Sequence, residues 1–121
     1  MKVFITGASS GIGQALATEY AKRHADEKTV IGIAARRSEH LHNLQAILQD
    51  THKIKSVIYP LDVRDSAALA LAGADFIRQY GVPDVVIACA GVSRGTLTEY
   101  QEDIVAFQAV MDINVMGLVH T

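Results

Sequence analysis

A parallel α/β fold, with helices on both faces of one sheet, is predicted by three observations. Short apolar runs at residues 3–5, 30–34, 54–59 and 84–88 alternate with longer amphipathic runs. These short runs are apolar at successive positions rather than at every second one, so both faces of the sheet must be covered. The 121 residues are 50% hydrophobic with only two prolines, which is enough apolar material for one core in a single domain over 1–121.

Taken in order, Val3-Phe4-Ile5 forms the first strand and leads into a glycine-rich turn. Residues 12–24 follow as a helix, with Ile12, Leu16, Ala17 and Tyr20 at helical spacing. Residues 30–34 form a second strand. Ser38 is placed to cap a helix whose buried stripe is Leu41, Leu44, Ile47 and Leu48. A third strand spans 54–59 and is closed by Pro60. Asp65-Ser66 open a third helix through Ala68, Leu69, Ala72, Phe76 and Ile77, with Gly81 as its C-terminal cap. Residues 84–88 are the fourth strand and 91–98 a loop. Thr98-Glu99-Tyr100-Gln101 has the capping-box pattern, opening a helix with Ile104, Val105, Phe107, Val110, Met111 and Val115.

Composition narrows the partners. Eleven Lys+Arg against 13 Asp+Glu, a net charge of −2, leaves no electrostatic footprint for nucleic acid. One cysteine forms no internal disulfide, which favours a reducing, cytoplasmic setting. The N-terminal apolar run is too short for a leader or a span, and no run approaches about 18 residues, so no membrane partner is expected. Five histidines are scattered; His40 and His42, two apart, do not face one another on a helix, and no metal site is expected.

Two motifs carry chemistry. Thr6-Gly7-Ala8-Ser9-Ser10-Gly11-Ile12-Gly13 joins the first strand to the first helix. Its glycines allow close backbone approach, Ser9 and Ser10 add hydroxyl donors, and the helix N-terminus behind them suits a pyrophosphate. At the end of the second strand stand Arg36 and Arg37. A site for NAD needs a carboxylate there for the ribose 2′-hydroxyl, yet residues 30–37 contain none; a guanidinium suits a 2′-phosphate instead. Cations just ahead of a helix N-terminus are also unfavourable unless an anion joins them. The expected cofactor is NADP (NADPH), preferred over NAD.

With these motifs, the sequence resembles the N-terminal half of the short-chain dehydrogenase/reductase family. Residues 6–13 fit that family's glycine signature at every fixed position. Asp62-Val63 resembles its adenine-contacting pair, Cys89-Ala90-Gly91 the end of its Asn-Asn-Ala-Gly motif beside the cofactor, and Asn114 its catalytic asparagine. The resemblance implies a Rossmann-type doubly wound sheet of order 3-2-1-4, here truncated as β-α-β-α-β-α-β-α, with right-handed crossovers. It also implies NADP(H)-dependent hydride transfer between a carbonyl and an alcohol on a small-molecule substrate.

Departures from the family count equally. Ala88-Cys89 replaces the Asn-Asn pair, and Cys89 is expected to be an inert core thiol. The catalytic Ser and Tyr-x-x-x-Lys have no counterpart: four places after Tyr20, Tyr59, Tyr80 and Tyr100 stand His24, Val63, Asp84 and Ile104. The chain ends within an apolar run, so it is expected to be the front half of a longer protein. By itself it is expected to bind cofactor without turnover; the alternatives are an inactive dinucleotide-binding module or a self-associating fragment. An open fourth-strand edge and an apolar last helix point to a homodimer or higher oligomer.

Overall fold

A computed structural model describes residues 1–26 and 28–121. Strands β1 (Lys2–Thr6), β2 (Val30–Ala35), β3 (Lys55–Pro60) and β4 (Val85–Ala88) form one parallel sheet in the order β3-β2-β1-β4. Helices α1 (Gly11–Arg23), α2 (Ser38–His52) and α3 (Ser66–Tyr80) connect them. The predicted order and alternation are therefore observed. Because β1 has β2 on one side and β4 on the other, the direction of winding reverses beside β1. A ligand crevice is expected at the carboxyl ends of the strands there.

Strand alternation divides the core in two. Val3 and Ile5 of β1, with Ile31 and Ile33 of β2, pack against Ala17 and Ala21 of α1 and Leu41, Leu44 and Leu48 of α2. Phe4, Val30 and Ala34 face the other way and meet Leu69, Ala72 and Phe76 of α3. Phe4 and Phe76 meet edge to face, with centroids 5.5 Å apart and planes at 80°. Gly32 makes room for this contact: a Cβ there would lie 2.7 Å from the Phe4 ring.

Local geometry departs from expectation where periodicity alone is too coarse. Ile47 and Ile77 are 43% and 46% exposed, not buried. At 100° per residue each sits about a quarter-turn or more from its stripe, Leu41-Leu44-Leu48 or Leu69-Ala72-Phe76. Ile12 is 74% exposed because it faces the crevice rather than the sheet. Ser38 is the first helical residue and not the cap: Arg37 holds the cap position, and the Ser38 carbonyl is bonded by His42 Nδ1 at 2.9 Å. Ile54 is buried just ahead of β3, and Asp84 precedes β4, where its carboxylate accepts from the Lys2 N–H at 2.7 Å. Asp65 and Gly81 do cap α3, the first by accepting from Ala68 N–H and the second at φ +90°.

The last segment departs most. Thr98 forms no capping box; the Leu97 N–H donates to the Asp103 carboxylate instead, at 2.8 Å. A single 3₁₀ turn, Gln101–Asp103, leads into α4 (Ile104–Met111), a π-helical turn (Asp112–Met116) and α5 (Gly117–His120). This continuous run, Gln101–His120, is long and apolar enough by length and composition to cross a membrane. The expectation that no run approaches that length is corrected: Gln108, Asp112 and Asn114 break the apolar string without making the helix polar overall. Only Ile113 and Gly117 are buried, and both face the crevice wall.

Candidate functional site

The carboxyl ends of the four strands enclose a cleft of about 520 Å³. Its floor is the turn between β1 and α1. Gly7 sits at φ +72°, and a Cβ there would lie 2.4 Å from the Ala90 nitrogen, so the turn abuts the chain leaving β4. A Cβ on Gly13 would lie 2.3 Å from the Gly7 carbonyl oxygen. Both positions therefore require glycine for close packing. Gly11 (φ +57°) instead faces open space on the cleft side. Helix α1 starts behind this turn with no acidic residue in its first turn. Ser10, at the cap position, makes no side-chain capping bond. The first N–H groups of α1 thus remain open to an anion.

One side of the cleft is cationic. Arg36 and Arg37 leave β2 as exposed side chains. Arg37 Nη2 donates to the Ser10 hydroxyl at 2.9 Å and to the Ser9 hydroxyl at 3.2 Å. His40, from the first turn of α2, donates Nδ1–H to the Ser9 carbonyl at 3.2 Å. From the sequence His40 is weighed only as a metal ligand, yet its spacing of three from Arg37 at a helix start places the two on one face.

Beside the arginines, Asp62 and Val63 line the cleft after β3, the strand next to β2. Arg64, not singled out from the sequence, grips Asp62 through Nε, Nη2 and its backbone N–H at 2.6–3.1 Å. The guanidinium bonds hold the Asp62 carboxyl below the usual carboxylate range. Cys89, Ala90 and Gly91 form the remaining wall. Cys89 lies one residue beyond β4, partly exposed, so the expectation of a core thiol is corrected: with β4 at the sheet edge, its carboxyl end opens onto the cleft.

All thirteen residues expected to contact a cofactor thus line one cleft: Gly7, Ser9, Ser10, Gly11, Ile12, Gly13, Arg36, Arg37, Asp62, Val63, Cys89, Ala90 and Gly91. Asn114 stands behind the wall. Its Oδ1 accepts from the Val92 N–H and its Nδ2 donates to the Val92 carbonyl, both at 2.8 Å. The π-helical turn brings Asn114 to that position. Two further contacts tie the last helix to the cleft: His120 Nδ1–H donates to the Val63 carbonyl at 3.0 Å, and the Thr121 and Thr6 hydroxyls lie 3.4 Å apart. Among the described residues no group of three His, Cys, Asp or Glu is placed to hold a metal.

The donor set fits a dinucleotide phosphate. Glycine opens the floor, uncapped N–H groups and hydroxyls supply hydrogen bonds, and two guanidinium-bearing residues supply charge.

A family model described as short chain dehydrogenase matches residues 1–121. The chain is 35% identical over 118 residues to 11-beta-hydroxysteroid dehydrogenase A of Sesamum indicum, covering 98% of this chain and 33% of that protein. It is 32% identical over 114 residues to 2-dehydro-3-deoxy-L-rhamnonate dehydrogenase (NAD(+)) of a Sphingomonas species, covering 94% and 42%. The fold superposes on L-sorbose reductase from Gluconobacter frateurii, solved with NADPH and L-sorbose. The TM-score is 0.80 at 28% identity, over 98% of this chain and 43% of that one. The chain therefore spans roughly a third to a half of the length of the proteins it matches.

Proposed function

The chain belongs to the short-chain dehydrogenase family, and from that premise we propose that it binds NADPH in this cleft as the cofactor-binding part of a carbonyl–alcohol oxidoreductase. One observation carries the reading: Arg36 and Arg37 stand at the rim beside the glycine turn, and residues 30–37 offer no carboxylate. The family by itself does not choose the cofactor, since the proteins it matches are named or solved with both NAD(+) and NADPH. The arginines do, because a 2′-phosphate neutralises charge that is otherwise unfavourable ahead of α2.

Each segment has a role in this reading. The α1 N-terminus and the glycine turn hold the pyrophosphate, Arg36 and Arg37 hold the 2′-phosphate, and the Asp62 carboxylate accepts from the adenine amino group. The backbone of Cys89, Ala90 and Gly91 borders the rest of the dinucleotide. Asn114 keeps that wall in place through Val92. Such a dinucleotide, when bound, would supply or accept a hydride at a small-molecule carbon in the whole enzyme. Hydride arrival at a carbonyl also needs a positioned acid. No tyrosine here has a lysine four places on, so the 121 residues bind without turning over substrate. The single cysteine suits a reducing cytoplasm, and the apolar outer face of α4 suits a homodimer or higher oligomer.

The test is a titration of the purified chain with NADPH and NADH, followed by cofactor emission; the absence of tryptophan removes that background. A preference for NADPH of about tenfold or more is expected, as befits a charge-assisted hydrogen bond of roughly 1.5–3 kcal/mol. Equal affinities, or a preference that survives Arg36→Ala with Arg37→Ala, overturn the reading.

A further inference from the structure

We propose that Ser9 and Ser10 are positioning residues for cofactor choice: their hydroxyls hold Arg37 in place, and this clamp sets the preference for a 2′-phosphate. The inference rests on the NADPH reading above and deepens it.

The geometry carries it. Ser10 occupies the N-cap position of α1, where a serine hydroxyl ordinarily accepts from an N–H of the helix's own first turn. Here it makes no such bond and accepts from Arg37 Nη2 at 2.9 Å, with the Ser9 hydroxyl accepting from the same nitrogen at 3.2 Å. Two consequences follow. The N–H groups of α1 stay open for the pyrophosphate. The guanidinium, which is exposed and would otherwise sample many rotamers, is tethered with three of its five N–H donors still free. Neighbouring Arg36 differs: among the described residues it has no hydrogen-bond partner, although it lines the same cleft. The turn is itself anchored from α2, because His40 Nδ1–H donates to the Ser9 carbonyl. Preorganising a charged donor lowers the ordering cost of binding, and only a ligand that meets the donor benefits. NADH, with a ribose hydroxyl at that place, gains nothing from a tethered Arg37.

The test compares NADPH and NADH dissociation constants for the wild-type chain, S9A/S10A, S10T, R37A and S9A/S10A/R37A, each shown to be folded by circular dichroism. In S9A/S10A the NADPH:NADH preference is expected to fall about fivefold, over and above whatever loss the two cofactors share. S10T keeps a hydroxyl and should keep the preference. Adding the serine changes to R37A should lower the ratio no further. If S9A/S10A weakens both cofactors equally, the serines serve only the shared part of the dinucleotide and the clamp is wrong. If R37A collapses the ratio but S9A/S10A leaves it intact, Arg37 acts untethered and the clamp is again wrong. If R37A itself leaves the ratio unchanged, the NADPH reading through Arg37 falls and the clamp with it.

Discussion

At the scale of the residue, Asp62 shows how a side chain chosen for one role acquires another. Its position after β3 was legible from the sequence, but its partner Arg64 was not, because two exposed charges two residues apart need not meet. The Arg64 bonds depress the Asp62 pKa in the folded chain. A depressed carboxyl contributes stability above its unfolded value, near 3.8, and loses it as pH falls through the folded value. Asp62→Asn is therefore expected to be less stable than wild type at pH 7 by about 0.5–1 kcal/mol, a small figure because the pair is partly solvated. The two should converge as pH falls through the folded Asp62 value in thermal melts across pH. Gly13 makes a sharper case. Its absent Cβ would overlap the Gly7 carbonyl, so Gly13→Ala should cost about 1–3 kcal/mol and weaken NADPH binding together, measured by urea melts and titration.

At the scale of the element, helix stops and starts were legible where one residue decides them locally. Asp65 caps α3 as its side-chain chemistry requires, and Asp65→Ala should lower stability by about 1 kcal/mol in denaturant melts. Ser38 and Thr98 have equally good capping chemistry and do not cap. Arg37 takes the cap position of α2, while Asp103 accepts the Leu97 N–H. Propensity ranks a residue for a cap; the path of the preceding chain decides whether it occupies one. The π-helical turn at Asp112–Met116 had no sequence signature. It matters, because it carries Asn114 to Val92. Loss of those two hydrogen bonds in Asn114→Ala should lower stability by about 1–2 kcal/mol. It should also loosen the wall at Gly91, visible as faster amide exchange of Val92.

At the scale of the whole molecule, the outer edge of β4 pairs with nothing among the described residues, and Val86 is 51% exposed. Along α4, Ile104, Val105 and Phe107 are at least half exposed. An open strand edge and an exposed apolar helix face both favour association. Light scattering at micromolar concentration should report a dimer or larger species, and Val105→Glu with Phe107→Glu should shift it toward monomer without altering NADPH affinity. The alternation of strands and helices, the two-faced core and the glycine turn were legible in the 121 residues, because strand and helix periodicity and glycine spacing act over short distances along the chain. The strand order and the lining at Asp62-Val63 and Cys89-Ala90-Gly91 were implied by the family resemblance. Which apolar residues stay exposed, and which polar groups find each other, was decided only by the tertiary structure. Val92 meets Asn114 across 22 residues, Val63 meets His120 across 57, and Thr6 meets Thr121 across 115. A polar group unpaired in sequence can always bond to water, so its chemistry implies no particular protein partner. Only the folded chain, by bringing the ends of β1, β3 and β4 under the last helix, selects one.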